Sequence, residues 1–171
     1  MPGIFLVSDT HFGHQGVCNF MRADGVTKLR PWDNADEMDE EMVKRWNETV
    51  RPIDKVYHLG DVVIKKKKLD IMRRLNGDKV LIKGNHDIFK LQDYTPHFRD
   101  IRGYHVLNKM IFSHIPVHDS QKVRFTANIH GHTHSNSLSD PWYFCVCVEQ
   151  TDFRPVLLED VVKKIRALQS A

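Results

Sequence analysis

Short apolar runs that stop abruptly at polar blocks constrain this chain more than any other feature. Ile4 to Ser8 runs into Asp9-Thr10-His11, and Lys55 to Leu59 into Gly60-Asp61. Val80 to Ile82 leads to Gly84-Asn85-His86-Asp87, Lys109 to Ser113 to His114, and Phe125 to Ile129 to His130-Gly131-His132-Thr133-His134. Runs of this length, rich in β-branched and aromatic residues, predict buried strands. Each block then sets oxygen or nitrogen donors where a strand ends, the arrangement expected when strands deliver functional groups to one edge of an α/β sheet. In the last block His132 and His134, two residues apart, project to one side of extended backbone and can reach a single metal ion. A His-x-His pair alone is as often a surface loop; the four upstream blocks supply its context.

The intervals between strands read as helices in the first half of the chain. Asn34 can cap a helix with Glu37 three residues on, Met38, Met42, Trp46 and Val50 recur every four residues, and Pro52 lies just beyond. Lys65 to Leu75 reads as a second helix closed by Gly77, its Lys65–Lys68 run being a solvated helix start rather than a phosphate site. Residues 88 to 103 read as irregular helix and loop. From Tyr104 a meander is expected: Tyr104–Leu107 and Lys109–Ser113 as a tight antiparallel pair about Asn108, then Phe125–Ile129 and Tyr143–Val148. Leu157 to Leu168 is an amphipathic helix suited to covering a sheet. Residues 12 to 33 carry no period, and their His14, Arg22, Arg30 and Trp32 are either a substrate-facing set or an ordinary surface connection.

Composition limits the partners. With 171 residues and 41% hydrophobic content, one domain over 1–171 suffices. A net charge of +3 permits anionic partners but lacks the basic stripe of a dedicated nucleic-acid binder. Three cysteines, an odd number, fit a reducing, cytoplasmic setting. Cys145 and Cys147 fall on one face of an extended strand, too far apart for a bridge, and read as core residues. Nowhere do about 20 apolar residues run together, so no membrane span is expected.

Asp-x-His, Gly-Asp, Gly-Asn-His-Asp, an isolated His and Gly-His-x-His, in this order across residues 9 to 134, resemble the calcineurin-like metallophosphoesterase family. The segments Asp9-Thr10-His11-Phe12-Gly13-His14 and Thr151-Asp152-Phe153-Arg154-Pro155-Val156 are similar to a small bacterial and phage branch of it. The resemblance implies an α/β, four-layer metallophosphoesterase fold, two packed mixed β-sheets flanked by helices. It implies two divalent transition-metal ions, with Asp9, His11 and His134 on one, Asn85, His114 and His132 on the other, and Asp61 shared. Carboxylate, imidazole and amide donors without thiolates suit Mn, Fe, Zn or Ni, with Mn favoured. A metal-bridging hydroxide would attack phosphorus. His86 would be a general acid or transition-state stabiliser, with Asp87 either its orienting carboxylate or a structural salt bridge. His14 is either a second substrate contact or a loop hydrogen bond, whereas His58 reads as a core or supporting histidine.

The expected substrate is a small, anionic, nucleotide-like or organic phosphodiester. Two divalent ions (+4), Asp9 and Asp61 (−2) and a hydroxide (−1) leave a formal +1, which suits a diester monoanion. Protein serine/threonine phosphatases of the superfamily carry arginines after the Gly-Asp and Gly-Asn-His blocks, and here Val62-Val63 and Ile88-Phe89 stand instead. A phosphomonoesterase is the alternative, cleavage of short nucleic acid a further option, and a non-catalytic metal-binding interaction scaffold a different class. Oligomeric state is left open.

Overall fold

Strand β1, Ile4–Val7, divides its side chains between two apolar cores, and the architecture follows from that alternation. Phe5 and Val7 pack into one core with Met38, Met42 and Trp46 of helix α1, Ala35–Thr49, while Leu6 joins Phe112 and Ile129 in the other. The computed structural model describes residues 1–170. Strands β2 (Lys55–His58), β3 (Asp78–Ile82) and β4 (Asp100–Arg102) extend the first sheet from β1, all parallel, and β9 (Val156–Leu157) pairs antiparallel on its other edge. Strands β5 (His105–Leu107), β6 (Met110–Ser113), β7 (Ala127–His130) and β8 (Tyr143–Cys145) make the second sheet in that order. Both sheets are mixed, and helices flank them.

α1 starts where its sequence signals put it, with the Asn34 side chain accepting the Glu37 N–H at 2.8 Å. Helix α2 is the short Leu91–Tyr94 segment, and helix α3, Leu158–Gln169, buries Leu158, Val161 and Ile165 in the inter-sheet core. The helix expected over Lys65–Leu75 is a 3-10 run, Lys66–Arg74, whose buried Leu69 and Met72 stand three residues apart, the period of that tighter coil. Residues 88 to 103, expected to be helix and loop, also contribute β4, a strand too short and too charged to show a period.

The second sheet is not a meander. β5 and β6 form the expected hairpin, with Asn108 and Lys109 both at positive φ in the turn. β6–β7 and β7–β8 are parallel, because the connections over residues 114–126 and 131–142 are long enough to cross over. Consequently the carboxyl ends of β1, β2, β3, β6 and β7 all face the same way. The two sheets touch there through a parallel bridge between Ser8 and Cys147, with the Val148 N–H donating to Ser8 O at 3.1 Å.

Candidate metal centre

Three of the five donor-bearing blocks, those after β1, β2 and β7, leave their strands through an unusual backbone conformation. Among the described residues nine non-glycine positions have positive φ, and five of them are Asp9, His11, Asp61, His132 and His134. Such a conformation costs about 1–2 kcal/mol per residue, so its concentration at these positions marks a site whose surroundings over-determine it. Glycines let the loops approach closely. A Cβ on Gly131 would collide with the Ser8 hydroxyl and the Asp9 carboxylate, and one on Gly60 would meet Gly84 N and His114 Nδ1, each at 2.6 Å.

The loops bring the donors together in two groups, Asp9 with His11 and His134, and Asp61 with His114 and His132. Within each group the donor atoms lie within 4.8 Å of one another. Asp61 Oδ2 links them, 3.6 Å from His11 Nε2 and 3.4 Å from His114 Nε2. Asp9 Oδ1 stands 3.6 Å from His11 Nε2 and 3.9 Å from His134 Nε2. Asn85 completes the second group, its Oδ1 lying 2.8 Å from His114 Nε2.

A divalent cation fits this arrangement. Asp9 Oδ1 and both ring nitrogens of His11 are buried without a hydrogen-bond partner, a costly condition unless a cation takes the lone pairs. His114 Nδ1–H donates to Leu59 O at 2.7 Å, so Nε2 faces the oxygens of Asn85 and Asp61, where it donates its own proton, as its raised pKa allows, until a bound cation takes the lone pair in its place. Ligand bonds of about 2.0–2.2 Å put the donor atoms of one ion roughly 3–4 Å apart, close to the 3.6 and 3.9 Å from Asp9 in the first group and the 2.8 and 3.4 Å from His114 in the second. The carboxylates are ionised: burial pushes both up, but His11 and His114 hold Asp9, and His114 holds Asp61, below the usual range. Burial keeps His11 neutral, its pKa below the ordinary imidazole value.

Buried groups behind the donors fix their orientation. Asp9 Oδ2 accepts from Ser8 Oγ (2.5 Å), the His132 N–H (2.8 Å) and Cys147 Sγ (3.1 Å), which leaves only Oδ1 directed at the site. His134 Nδ1–H donates to Glu149 Oε1 at 3.0 Å, presenting Nε2 forward. Glu149 in turn accepts from Arg30 Nε and Nη2 at 2.9 and 2.7 Å, and Arg30 also donates to the main-chain oxygens of Asp9 and Thr10. Burial alone would raise the Glu149 pKa and lower that of His134. Arg30 and His134 reverse the first effect, and the Glu149 carboxylate reverses the second.

Several expectations change on this geometry. Arg30 and Trp32 are buried, Arg30 beneath the Asp9 loop and Trp32 against Phe153, so neither faces substrate. Asp87 does not orient His86 and forms no salt bridge. Its two oxygens are occupied by the backbone N–H groups of Asp61, Val62 and Gly84 at 2.8–3.0 Å, clamping the loops after β2 and β3 together. His86 is exposed, with its N–H on Asp61 Oδ1 (2.8 Å) and its ring edge-on to His11 at 5.5 Å. His14 is half-buried beside His11, ring centroids 5.6 Å apart, and burial pushes its pKa down to about 4. His58 is fully buried between Thr10 Oγ1 and the Gly60 N–H. Motif reading misses Glu149 and gives Arg30 only as a candidate substrate contact; the only trace of Glu149 in the sequence is a lone charge closing the apolar run from Tyr143.

A two-sheet α/β fold presenting paired clusters of hard and borderline donors is the frame of a metal-dependent hydrolase. Residues 3–144 match the calcineurin-like phosphoesterase superfamily domain, and the chain belongs to that family. An uncharacterised protein of Methanocaldococcus jannaschii is 36% identical across 96% of this chain and 92% of its own length. The crystal structure of a protein of unknown function from Aquifex aeolicus superimposes with a TM-score of 0.76 at 24% identity, covering 95% of this chain and 99% of that one. A structure described as a novel archaeal phosphodiesterase covers 84% of this chain and 81% of its own, at 17% identity and a TM-score of 0.49, too distant to bear on activity. Family and donor clusters together point to divalent metal ions and a phosphoester substrate. Among the described residues no helix is long and apolar enough to cross a membrane.

Proposed function

We propose that this single-domain protein is a two-metal phosphodiesterase acting on a small organic or nucleotide-like diester. The observation that carries the reading is Asp61 Oδ2, held between His11 Nε2 and His114 Nε2 and so common to both donor groups. Asp9, His11 and His134 would hold one ion, and Asn85, His114 and His132 the other, with Asp61 shared. Mn²⁺ is the favoured occupant, since carboxylate, imidazole and amide donors combine here without thiolate. Bound divalent ions supply Lewis acidity toward phosphoryl oxygens and a water-derived nucleophile near neutral pH.

The protein's own groups divide the remaining work. Asp9 is locked by three donors on its inner oxygen, so its outer oxygen keeps one direction. His86, exposed and tethered through its main chain to Asp61, is positioned to protonate a leaving oxygen. A diester is favoured over a monoester because Arg30 is committed to Glu149 and main-chain oxygens and cannot grip a phosphate dianion. Val62 and Val63 are buried where an arginine would be needed. The three buried free cysteines suit a reducing cytoplasm.

The test is hydrolysis of bis-p-nitrophenyl phosphate beside p-nitrophenyl phosphate, after metal stripping and re-addition of Mn²⁺, Ni²⁺, Zn²⁺ or Mg²⁺ singly. Metal-dependent cleavage favouring the diester is expected. Preference for the monoester would assign a phosphatase, and full activity in EDTA would remove the metal mechanism.

A further inference from the structure

Residues 20 to 29 fold back on themselves beside the two donor groups. Met21 pairs with Lys28, the Leu29 N–H donates to Phe20 O and the Arg22 N–H to Thr27 O, both at 2.7 Å. The Asp24 carboxylate ties off the tip by accepting from the Val26 and Thr27 N–H groups at 2.9 and 2.8 Å. Leu29 and Arg30 anchor the base of this hairpin in the protein, yet Phe20 and Met21 remain 51% and 49% exposed. Two large apolar side chains kept out of the core on an anchored hairpin indicate a contact surface.

That surface is continuous with the candidate metal centre. Phe20, Met21 and Arg22 form one wall of a cavity of about 570 Å³ whose other wall carries His132, His134 and Asn136. The Phe20 ring lies perpendicular to His14 with centroids 5.8 Å apart, and His14 itself lies against His11. An aromatic ring and a polarizable thioether, in a cavity also lined by Arg22 and Asn136, are suited to a flat unsaturated ring with polar edges. An alkyl chain would make no use of those polar groups.

We propose that this cavity is a nucleobase subsite, so that the phosphoester held at the metal cluster is a nucleotide, its base lying on Phe20 and Met21 and its polar edge toward Arg22 and Asn136. The proposal rests on the phosphoesterase reading and names the substrate class for it.

Calorimetry on the Mn²⁺-loaded protein with inorganic phosphate, ribose 5-phosphate, AMP and n-octyl phosphate tests it. Base stacking of about 1–3 kcal/mol makes AMP bind roughly 5- to 150-fold tighter than ribose 5-phosphate. Phe20→Ala brings that ratio close to one and Phe20→Trp preserves it, with Mn²⁺ content and circular dichroism checked for each variant. Equal binding of AMP and ribose 5-phosphate by the parent protein, with phosphate still bound, overturns the subsite and leaves the phosphoesterase reading standing. Tighter binding of n-octyl phosphate than of AMP overturns it in favour of an alkyl ester. Failure to bind phosphate or any ester overturns both.

Discussion

The two oxygens of Asp9 have separate duties, and the same division recurs at His134, where Nδ1 is given to Glu149 and Nε2 to the site. Glu149→Gln keeps the shape but removes the charge that orients the imidazole, and Mn²⁺ affinity at the Asp9 group is expected to fall about 10–100-fold, read by calorimetry. His58 gives a pH signature. Its Nδ1 accepts from the Gly60 N–H, so Nε2–H donates to Thr10 Oγ1, and burial pushes its pKa down to about 3. The unfolded chain binds that proton near pH 6.5, the folded one does not. Stability from this group is therefore complete above about pH 6.5 and declines toward pH 3, by roughly 1.4 kcal/mol per unit. Urea unfolding in EDTA at pH 7, 6 and 5 measures the slope, to which His11, His14 and His130 also contribute, and His58→Gln removes the His58 share of it. The seven donor residues that the structure brings together were legible as a group because each follows a strand at short spacing. Arg30 and Glu149 were not, because a buried ion pair between residues remote in the chain leaves no local pattern.

At the scale of elements, α1 was legible to its first residue because a cap, a four-residue apolar period and a terminating proline agree. Asn34→Ala removes the side-chain acceptor for Glu37 N–H and is expected to cost about 1 kcal/mol in urea unfolding, with no change in metal content. The second sheet was misread for a physical reason. An apolar strand carries no mark of its direction, and only connection length separates a meander from parallel crossovers. The 3-10 run Lys66–Arg74 was likewise misjudged, because i, i+3 apolar pairs serve either coil.

At the scale of the whole molecule, the donors come from both sheets: Asp9, His11, Asp61 and Asn85 from the first, His114, His132 and His134 from the second. Ions bound there would fasten the sheets together where the Ser8–Cys147 bridge already joins them. Adding Mn²⁺ to EDTA-stripped protein is therefore expected to raise Tm. A site filled at 100 times its Kd contributes about 2.7 kcal/mol, and Asp61→Asn, which weakens both groups at once, forfeits most of the rise in a thermal scan. The left-handed backbone at Asp9, His11, Asp61, His132 and His134 bears on descent as well. Such conformations suit glycine best, and although aspartate, asparagine and histidine enter them more readily than other side chains, each still carries a cost that selection for what the side chain does would offset. A lineage released from that demand gains stability by drifting to glycine or asparagine at these five positions first, which gives a way to tell idle copies of this fold from working ones.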